Sequence, residues 1–425
     1  MVVNMKDSEL MRPEAPKELP QPFTVISDES IKAEKQDAIE EEKNEENDLL
    51  ATFVPIFISM KILGIGLSLS DGSAKNGSCP RTLGCAWKLL IATVMLTYVG
   101  YSVVMAVPSS GMDLVSNVIT TSSALVVYVT MHKSGESLGS TLRKLTEDTE
   151  RAPPERGIFI VTFGAWAMQG LTVVSRLARC YTEAGDSAAA DCLRGNDTLC
   201  TQPAVVANFM EVMVRYGLLR GSIWMSMLLA YYMLVHIESR LKALNVAFFH
   251  TKKLSNESLR SFRRTHNVLC RTIKVVDASF SVCSIAWYTH SIAETLASVD
   301  QFISFVSDDI WCVPFRVCVA LNAVCLLALM LFTSEAAHCA SKQARNSVVL
   351  LAQRSAEMQQ PEMYEQINAT INSFRRGAIT VHCCRVWPIC RASGLLAFFV
   401  AVVGISVLAL WRPRSRAFLQ PYFTL

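Results

Sequence analysis

Seven stretches of about 20 mostly apolar residues follow one another along this 425-residue chain, and they constrain its fold more than any other feature. A helix of roughly 20 apolar residues crosses the 30 Å hydrocarbon core of a bilayer. The stretches lie near residues 89–107, 112–131, 157–177, 206–235, 275–299, 313–332 and 392–411. The overall composition, 51% hydrophobic and 18% charged, also disfavours a soluble protein. The sequence therefore predicts an all-α, polytopic membrane protein with seven transmembrane helices spread over residues 85–411.

The segments outside this domain have a different composition. Residues 1–48 are acidic and poor in aromatic residues, which is typical of a disordered tail, here a cytoplasmic one. Residues 49–84 include an apolar run with Lys61 at its middle, and a lysine there costs about 2.5–3.5 kcal/mol on insertion. We interpret 49–84 as a cytoplasmic or interfacial segment that precedes the first span, with a true first span as the alternative. Residues 412–425 are predicted to form a short extracellular tail.

The distribution of lysine and arginine predicts the orientation, since positively charged loops stay cytoplasmic. The connections 133–156, 240–274 and 342–391 lie on one side and carry 21 basic residues, against five on the other side. This asymmetry predicts a cytoplasmic N-terminus and an extracellular C-terminus, the reverse of a G-protein-coupled receptor. The expected location is the plasma membrane, as a multi-pass protein.

The polar segment between the third and fourth spans has features of an extracellular loop. Asn196 begins an N-x-[ST] sequon and is the predicted glycosylation site. Cys192 and Cys200 are a candidate disulfide pair in this oxidising environment, with Cys180 and Cys312 as other candidate partners. Three further sequons lie on the predicted cytoplasmic side, at Asn76, Asn256 and Asn368.

Ionisable residues inside predicted spans are costly and therefore indicate function. Glu211 and Arg215 are four residues apart and share one helix face, as do His290 and Glu294. A histidine, a carboxylate and nearby aromatic rings can hold a small polar or amphipathic ligand against apolar walls. The candidate ligand-binding residues are His290, Glu294, Trp287, Tyr288, Tyr216 and Trp224. The alternative for these residues is packing between helices or a position in an interfacial aromatic belt.

Several function classes are disfavoured. The sequence contains no Walker loop, no H-E-x-x-H motif and no nucleophile elbow, so we do not expect an enzyme. It has no basic stripe interleaved with aromatic residues, so nucleic acid is not an expected partner. His382, Cys383, Cys384 and Cys390 lack paired C-x-x-C spacing, and neither a metal nor a cofactor is expected. A G-protein-coupled receptor and a small-molecule transporter remain as alternatives.

Four segments together resemble the arthropod gustatory receptor family, over residues 54 to 411. They are Pro55–Gly64 before the first span, Ile237–Asn245 at the exit of the fourth, Leu259–Leu269 leading into the fifth, and Glu335–His338 after the sixth. The sequence departs from the family in its last span, where the family's Thr-Tyr and Gln-Phe pairs are absent. The resemblance is therefore to a divergent branch.

This resemblance implies a ligand-gated, non-selective cation channel that detects a tastant or other small molecule in the outer half of the helix bundle. It also implies a homotetramer or a heterotetramer with related subunits, whose seventh helices surround the pore. On that helix the pore and gate are assigned to Phe399, Val403, Ser406 and Leu410. The span lacks ionisable residues, which suits a gate that closes by dewetting but also an ordinary lipid-facing helix.

Overall fold

Long α-helices make up nearly all the secondary structure in this computed structural model. The structure describes residues 53–65, 78–106, 112–147, 155–193, 209–251, 254–303, 312–356, 361–376, 380–383 and 387–419. The helices are α1 (Phe53–Ile62), α2 (Ser78–Ala106), α3 (Met112–Glu147), α4 (Glu155–Leu193), α5 (Arg220–His250), α6 (Asn256–Ile303), α7 (Cys312–Ala356), α8 (Pro361–Arg376) and α9 (Arg391–Leu419). A π-helical turn, Met213–Leu219, leads directly into α5. Two-residue strands β1 (His382–Cys383) and β2 (Trp387–Pro388) pair antiparallel before α9, and the all-α prediction holds for the rest of the described chain.

Some predictions fall outside the described residues. These are the tail at 1–48 and the positions Asn76, Asn196 and Cys200. The side chains of Cys180, Cys192, Cys312 and Leu410 are likewise outside the described part of the chain.

The apolar helices in the described part of the chain fall into two groups by the length of their apolar stretches. Three are long and apolar enough to cross a membrane, within Ile158–Ala178, Phe209–His250 and Val313–Ala356. Shorter apolar helices cover Phe53–Ile62, Ala86–Tyr101 and Arg391–Val407. The second and fifth predicted spans fall on α3 and α6, whose buried serines, threonines and His290 face the protein interior. Polar side chains on these interior helices lower their mean hydropathy, so the seven-span count remains a prediction.

The helices extend beyond the predicted spans. α2 begins within the segment predicted to precede the first span, and α9 continues through most of the predicted C-terminal tail. α7 runs well past its span, as the resemblance at Glu335–His338 suggested. Hydropathy marks the membrane-facing part of a helix, whereas the helix ends are set by capping and tertiary packing.

α1 lies against the bundle. Its ten residues span about 15 Å, about half the thickness of a hydrocarbon core. The choice between a segment that precedes the first span and a true first span stays a prediction. One face is buried, at Phe53, Ile56, Met60 and the following Leu63, while Lys61 on the other face is exposed. The Trp166 indole N–H donates to Ser59 Oγ at 2.7 Å and ties α1 to α4.

α5 forms the centre of the bundle. Every residue from Leu219 to Ala230 is buried, and α5 packs against α3, α6 and α7. The main hydrophobic core lies where these helices meet. Residues 223–237 contribute much of this core, which places the middle of the chain at the centre of the fold.

A second hydrophobic cluster joins the ends of α5, α6 and α7 on the predicted cytoplasmic side. α8 is amphipathic and contributes Met363, Ile367, Ile371 and Phe374 from one face. His266 of α6 stacks on Phe374, with ring centroids 3.8 Å apart. Burial lowers the pKa of His266 to about 4, so the stacked imidazole is neutral at pH 7.

Gly64, just after α1, is required by both backbone and packing. Its φ is +75°, and an added Cβ would lie 2.9 Å from Cβ of Ile91. Gly64→Ala is expected to lower stability by about 1–2 kcal/mol from the left-handed backbone alone, with a further cost from the clash. The thermal midpoint of detergent-solubilised protein measures this loss. Gly100→Ala is the matched control, because a Cβ there meets no atom within 4 Å; equal midpoints for the two variants would contradict the prediction.

Candidate ligand-binding site and last helix

A buried ion pair connects α5 and α6 at the centre of the candidate site. Arg220 Nη2 donates to Glu294 Oε1, and the two side chains are only 2% and 1% exposed. Arg220 is the first residue after the π-helical turn, which changes the register between Glu211 and α5. Glu294 is among the ligand-binding residues predicted from the sequence, whereas Arg220 is not. The available signal was the presence of opposite charges on separate spans, since neither charge is stable alone in the membrane.

Three arginines surround an aromatic pair next to this ion pair. Arg220 and Arg215 place their guanidinium carbons 4.3 and 5.3 Å from the Tyr216 ring centroid. Tyr216 meets Phe315 edge to face, with centroids 6.0 Å apart, and Arg176 lies 5.2 Å from the Phe315 ring. The rings therefore stabilise a concentration of positive charge through cation–π contacts.

His290 and Glu294 share the inner face of α6, one turn apart. His290 is fully buried, and its Nδ1 lies 3.2 Å from Thr120 Oγ1 of α3. His290 also interacts electrostatically with both Glu294 and Arg220. The structure therefore brings these predicted ligand-binding residues, together with Tyr216, into one cluster.

The predicted aromatic residues of α6 have different positions. The Trp287 indole N–H donates to Ser226 Oγ of α5 at 2.9 Å. The Tyr288 hydroxyl lies 2.7 Å from Ser334 Oγ of α7 and 3.3 Å from Ser393 Oγ of α9. Tyr288 thus connects α6 to the last helix, whereas Trp287 belongs to the contact between α5 and α6.

Gln169 of α4 joins the remaining predicted residue, Trp224, to the π-helical turn. Its side-chain amide lies 2.8 Å from the Tyr216 carbonyl and 2.8 Å from the Trp224 indole nitrogen. With its NH2 group toward the carbonyl and its oxygen toward the indole, the amide satisfies both groups. Gln169 is not among the residues predicted from the sequence, because a single glutamine has no spacing pattern that marks it.

Gln169→Leu is expected to cost about 1–3 kcal/mol of stability, because it leaves a buried N–H and a buried carbonyl without this partner. The thermal midpoint of the purified protein measures the effect. Gln366→Leu, at an exposed position on α8, is the control. A midpoint for Gln169→Leu equal to that of the control would contradict this assignment.

Three of the four predicted pore residues, Phe399, Val403 and Ser406, lie on the exposed face of α9. Small residues form its inner face: Ala401 is buried, and a Cβ at Gly404 would lie 2.6 Å from Leu296 Cδ2 of α6. On the opposite face, Phe399 and Val403 are 62% and 42% exposed, and Ser406 is exposed with its hydroxyl donating to its own helix. α9 therefore packs closely on the bundle and presents an apolar stripe outward.

Two polar contacts attach the start of α9 to the bundle. Arg391 donates to both carboxylate oxygens of Glu335 in α7, with Nε to Oε2 at 2.6 Å. The backbone N–H of His382 in β1 donates to Asp277 Oδ1 of α6. The α9 N-terminus is thus connected to α6 and α7.

Long apolar helices around a buried ion pair, with an apolar last helix packed on their side, define a multi-pass helical membrane protein. The chain has the fold of the insect olfactory receptor OR5 from Machilis hrabei, with a TM-score of 0.66 and 16% identity over 86% of this chain and 99% of the other. The structure of that receptor in complex with eugenol gives a TM-score of 0.63 and 15% identity over the same shares. The expected likeness to arthropod chemoreceptors is confirmed at the level of the fold. No protein-family model matches the sequence, and no curated protein has a significantly similar sequence.

Proposed function

We propose that this chain is a chemosensory receptor of the gustatory type that acts as a ligand-gated, non-selective cation channel in the plasma membrane. The supporting observation is the fold shared with an insect olfactory receptor along nearly the whole of that receptor, which has also been solved with eugenol. In this proposal seven helices cross the membrane, the N-terminus is cytoplasmic and the C-terminus is extracellular. The charge asymmetry of the loops supports this orientation.

The ligand binds in the cluster around Arg220, His290 and Glu294. These polar groups lie between α3, α5 and α6 and are enclosed by apolar and aromatic side chains. A ligand that binds the open arrangement more tightly shifts the population toward the conducting state. Tyr288 couples ligand binding to the last helix. It lies on the same helix as His290 and Glu294, and its hydroxyl contacts Ser393 of α9.

Four copies of α9 surround the pore, from one gene product or from related subunits. The exposed stripe that contains Phe399 and Val403 faces the shared axis, and this accounts for large apolar side chains on the outside of the chain. An apolar constriction of this kind closes by dewetting and opens when the helices separate.

Topology and current together test the proposal. Epitope tags in intact cells should show a hidden N-terminus and an accessible C-terminus, and glycosidase should shift only proteins that retain Asn196. Asn196→Gln is therefore expected to remove the shift, whereas Gln substitutions of Asn76, Asn256 and Asn368 are not.

Currents evoked by a panel of small organic compounds should persist in excised patches without added nucleotides, because no G protein is involved. An exposed N-terminus with glycan at Asn256 would overturn the topology. Ligand-evoked signalling from a protein that carries no current would overturn the channel.

A further inference from the structure

The cluster around Arg220 contains buried hydrogen-bond donors for which the described residues supply no acceptor. A guanidinium carries five N–H donors and no acceptor. Nε and Nη1 of Arg220 and Nε of Arg215 are buried, and the described residues supply no partner for any of them. Glu294 Oε2, an acceptor, and His290 Nε2, whose role depends on the tautomer, also lack a partner among the described residues. A buried donor on a charged group that forms no hydrogen bond costs free energy. The site therefore favours a ligand that carries hydrogen-bond acceptors.

Positive charge is concentrated in this cluster. Arg215 and Arg220 both interact electrostatically with Glu294, and Arg215 also interacts with the half-buried Glu211. Arg176, on the far side of the aromatic pair, adds a third guanidinium group. Among the described residues, these three cations gather around one aromatic pair, so the site attracts a further negative charge.

The walls of the cluster are apolar. Tyr216 and Phe315 pack with three buried valines, which are Val173, Val212 and Val319. The two rings lie directly beside the guanidinium groups of Arg176, Arg215 and Arg220. A ligand that matches both features has a single anionic group joined to a small apolar body.

We propose that this cluster binds the carboxylate of a small monocarboxylic acid, whose apolar body lies against Tyr216 and Phe315. Carboxylate oxygens accept charge-assisted hydrogen bonds from guanidinium groups and form the favoured partner of arginine at buried sites. A monoanion is favoured over a dianion, because each further charge adds to the cost of burial inside the membrane. This inference rests on the proposed function, because it names the ligand class of the same site.

Benzoate and hexanoate, each compared with its own amide at pH 7.4, provide the test. Each pair shares an apolar body and differs in the negative charge. Both acids are expected to raise the thermal midpoint of the purified full-length protein and to evoke current, with the amides weaker by about tenfold or more, as the loss of a charged hydrogen bond implies.

Arg215→Gln is expected to weaken acid binding by about tenfold and amide binding by less, so the preference for the acid falls, whereas Arg215→Lys should retain most of that preference. Arg271→Gln, at an exposed position on α6, is the matched control and should change neither. If Arg215→Gln fails to fold, Arg176→Gln tests the attraction between the ligand carboxylate and the arginines instead. Arg176 is half-buried and lies beside Phe315.

The outcomes separate this inference from the proposed function. Amides that bind as tightly as the acids, or acids that do not bind at all, overturn the ligand class even if other compounds open the channel. Acid binding to the purified protein that depends on Arg215 supports the ligand class even if no current is seen, and in that case the channel function fails instead.

Discussion

Arg220→Met is expected to lower the free energy of unfolding by about 3–5 kcal/mol, because it removes the hydrogen-bonded cation from the buried Glu294 carboxylate. Both side chains are almost completely buried, so solvent does not screen the loss. Glu294→Leu should cost a similar amount, since it leaves Arg220 without its anion. The double variant Arg220→Met/Glu294→Leu should recover most of the stability, because no buried charge remains at this contact.

Thermal or denaturant unfolding of the protein in detergent measures this cycle, with size-exclusion chromatography to confirm a folded state. Arg271→Met removes an exposed arginine from α6 and is the control for a change of charge alone. If the stability loss of the double variant equals the sum of the losses of the two single variants, Arg220 and Glu294 do not stabilise each other, which would contradict the prediction.

Val403→Lys is expected to reduce cation current by roughly tenfold or more at unchanged surface expression, because four copies would place a ring of positive charge around the pore. Val403 lies on the exposed stripe of α9, so the longer side chain is accommodated without disturbing the packing of Ala401 against the bundle. Val403→Glu carries the opposite charge at the same position and is expected to preserve or increase cation selectivity.

Whole-cell recordings with ion substitution measure both variants. Equal effects of lysine and glutamate would show that charge at this position does not act on the permeating ion, and the stripe would then face lipid or another protein surface. Cell-surface labelling excludes a loss of current caused by failure to reach the membrane.

The candidate site was only partly predictable from sequence. The spacing of His290 and Glu294 placed them on one face of α6, because residues four apart lie above each other on a helix. The ion pair was different: Arg220 lies 74 residues away from Glu294, on another helix. Spacing predicts neighbours on the same helix but does not pair residues from different helices.

Register was a second limit. Counting four residues from Glu211 gave Arg215 as its neighbour, and the two side chains do interact electrostatically. The count does not extend to Arg220, because the π-helical turn at Met213–Leu219 changes the rotation of the helix before that residue. The separation of Tyr288 from its neighbour Trp287 has a simpler cause. Consecutive residues on a helix point about 100° apart, so one turns toward α5 and the other toward α7 and α9.

By itself, the sequence determined that this is a helical membrane protein, where its long apolar helices lie, and which α6 residues would be buried polar groups. Those properties depend on composition and local periodicity, which each segment carries alone. Only the tertiary structure decided that Arg220 is the partner of Glu294, that Gln169 joins Trp224 to the π-helical turn, and which face of α9 is turned outward. The physical reason is that burial in a membrane makes every polar group require a partner, and the packing of distant helices decides which partner is within reach.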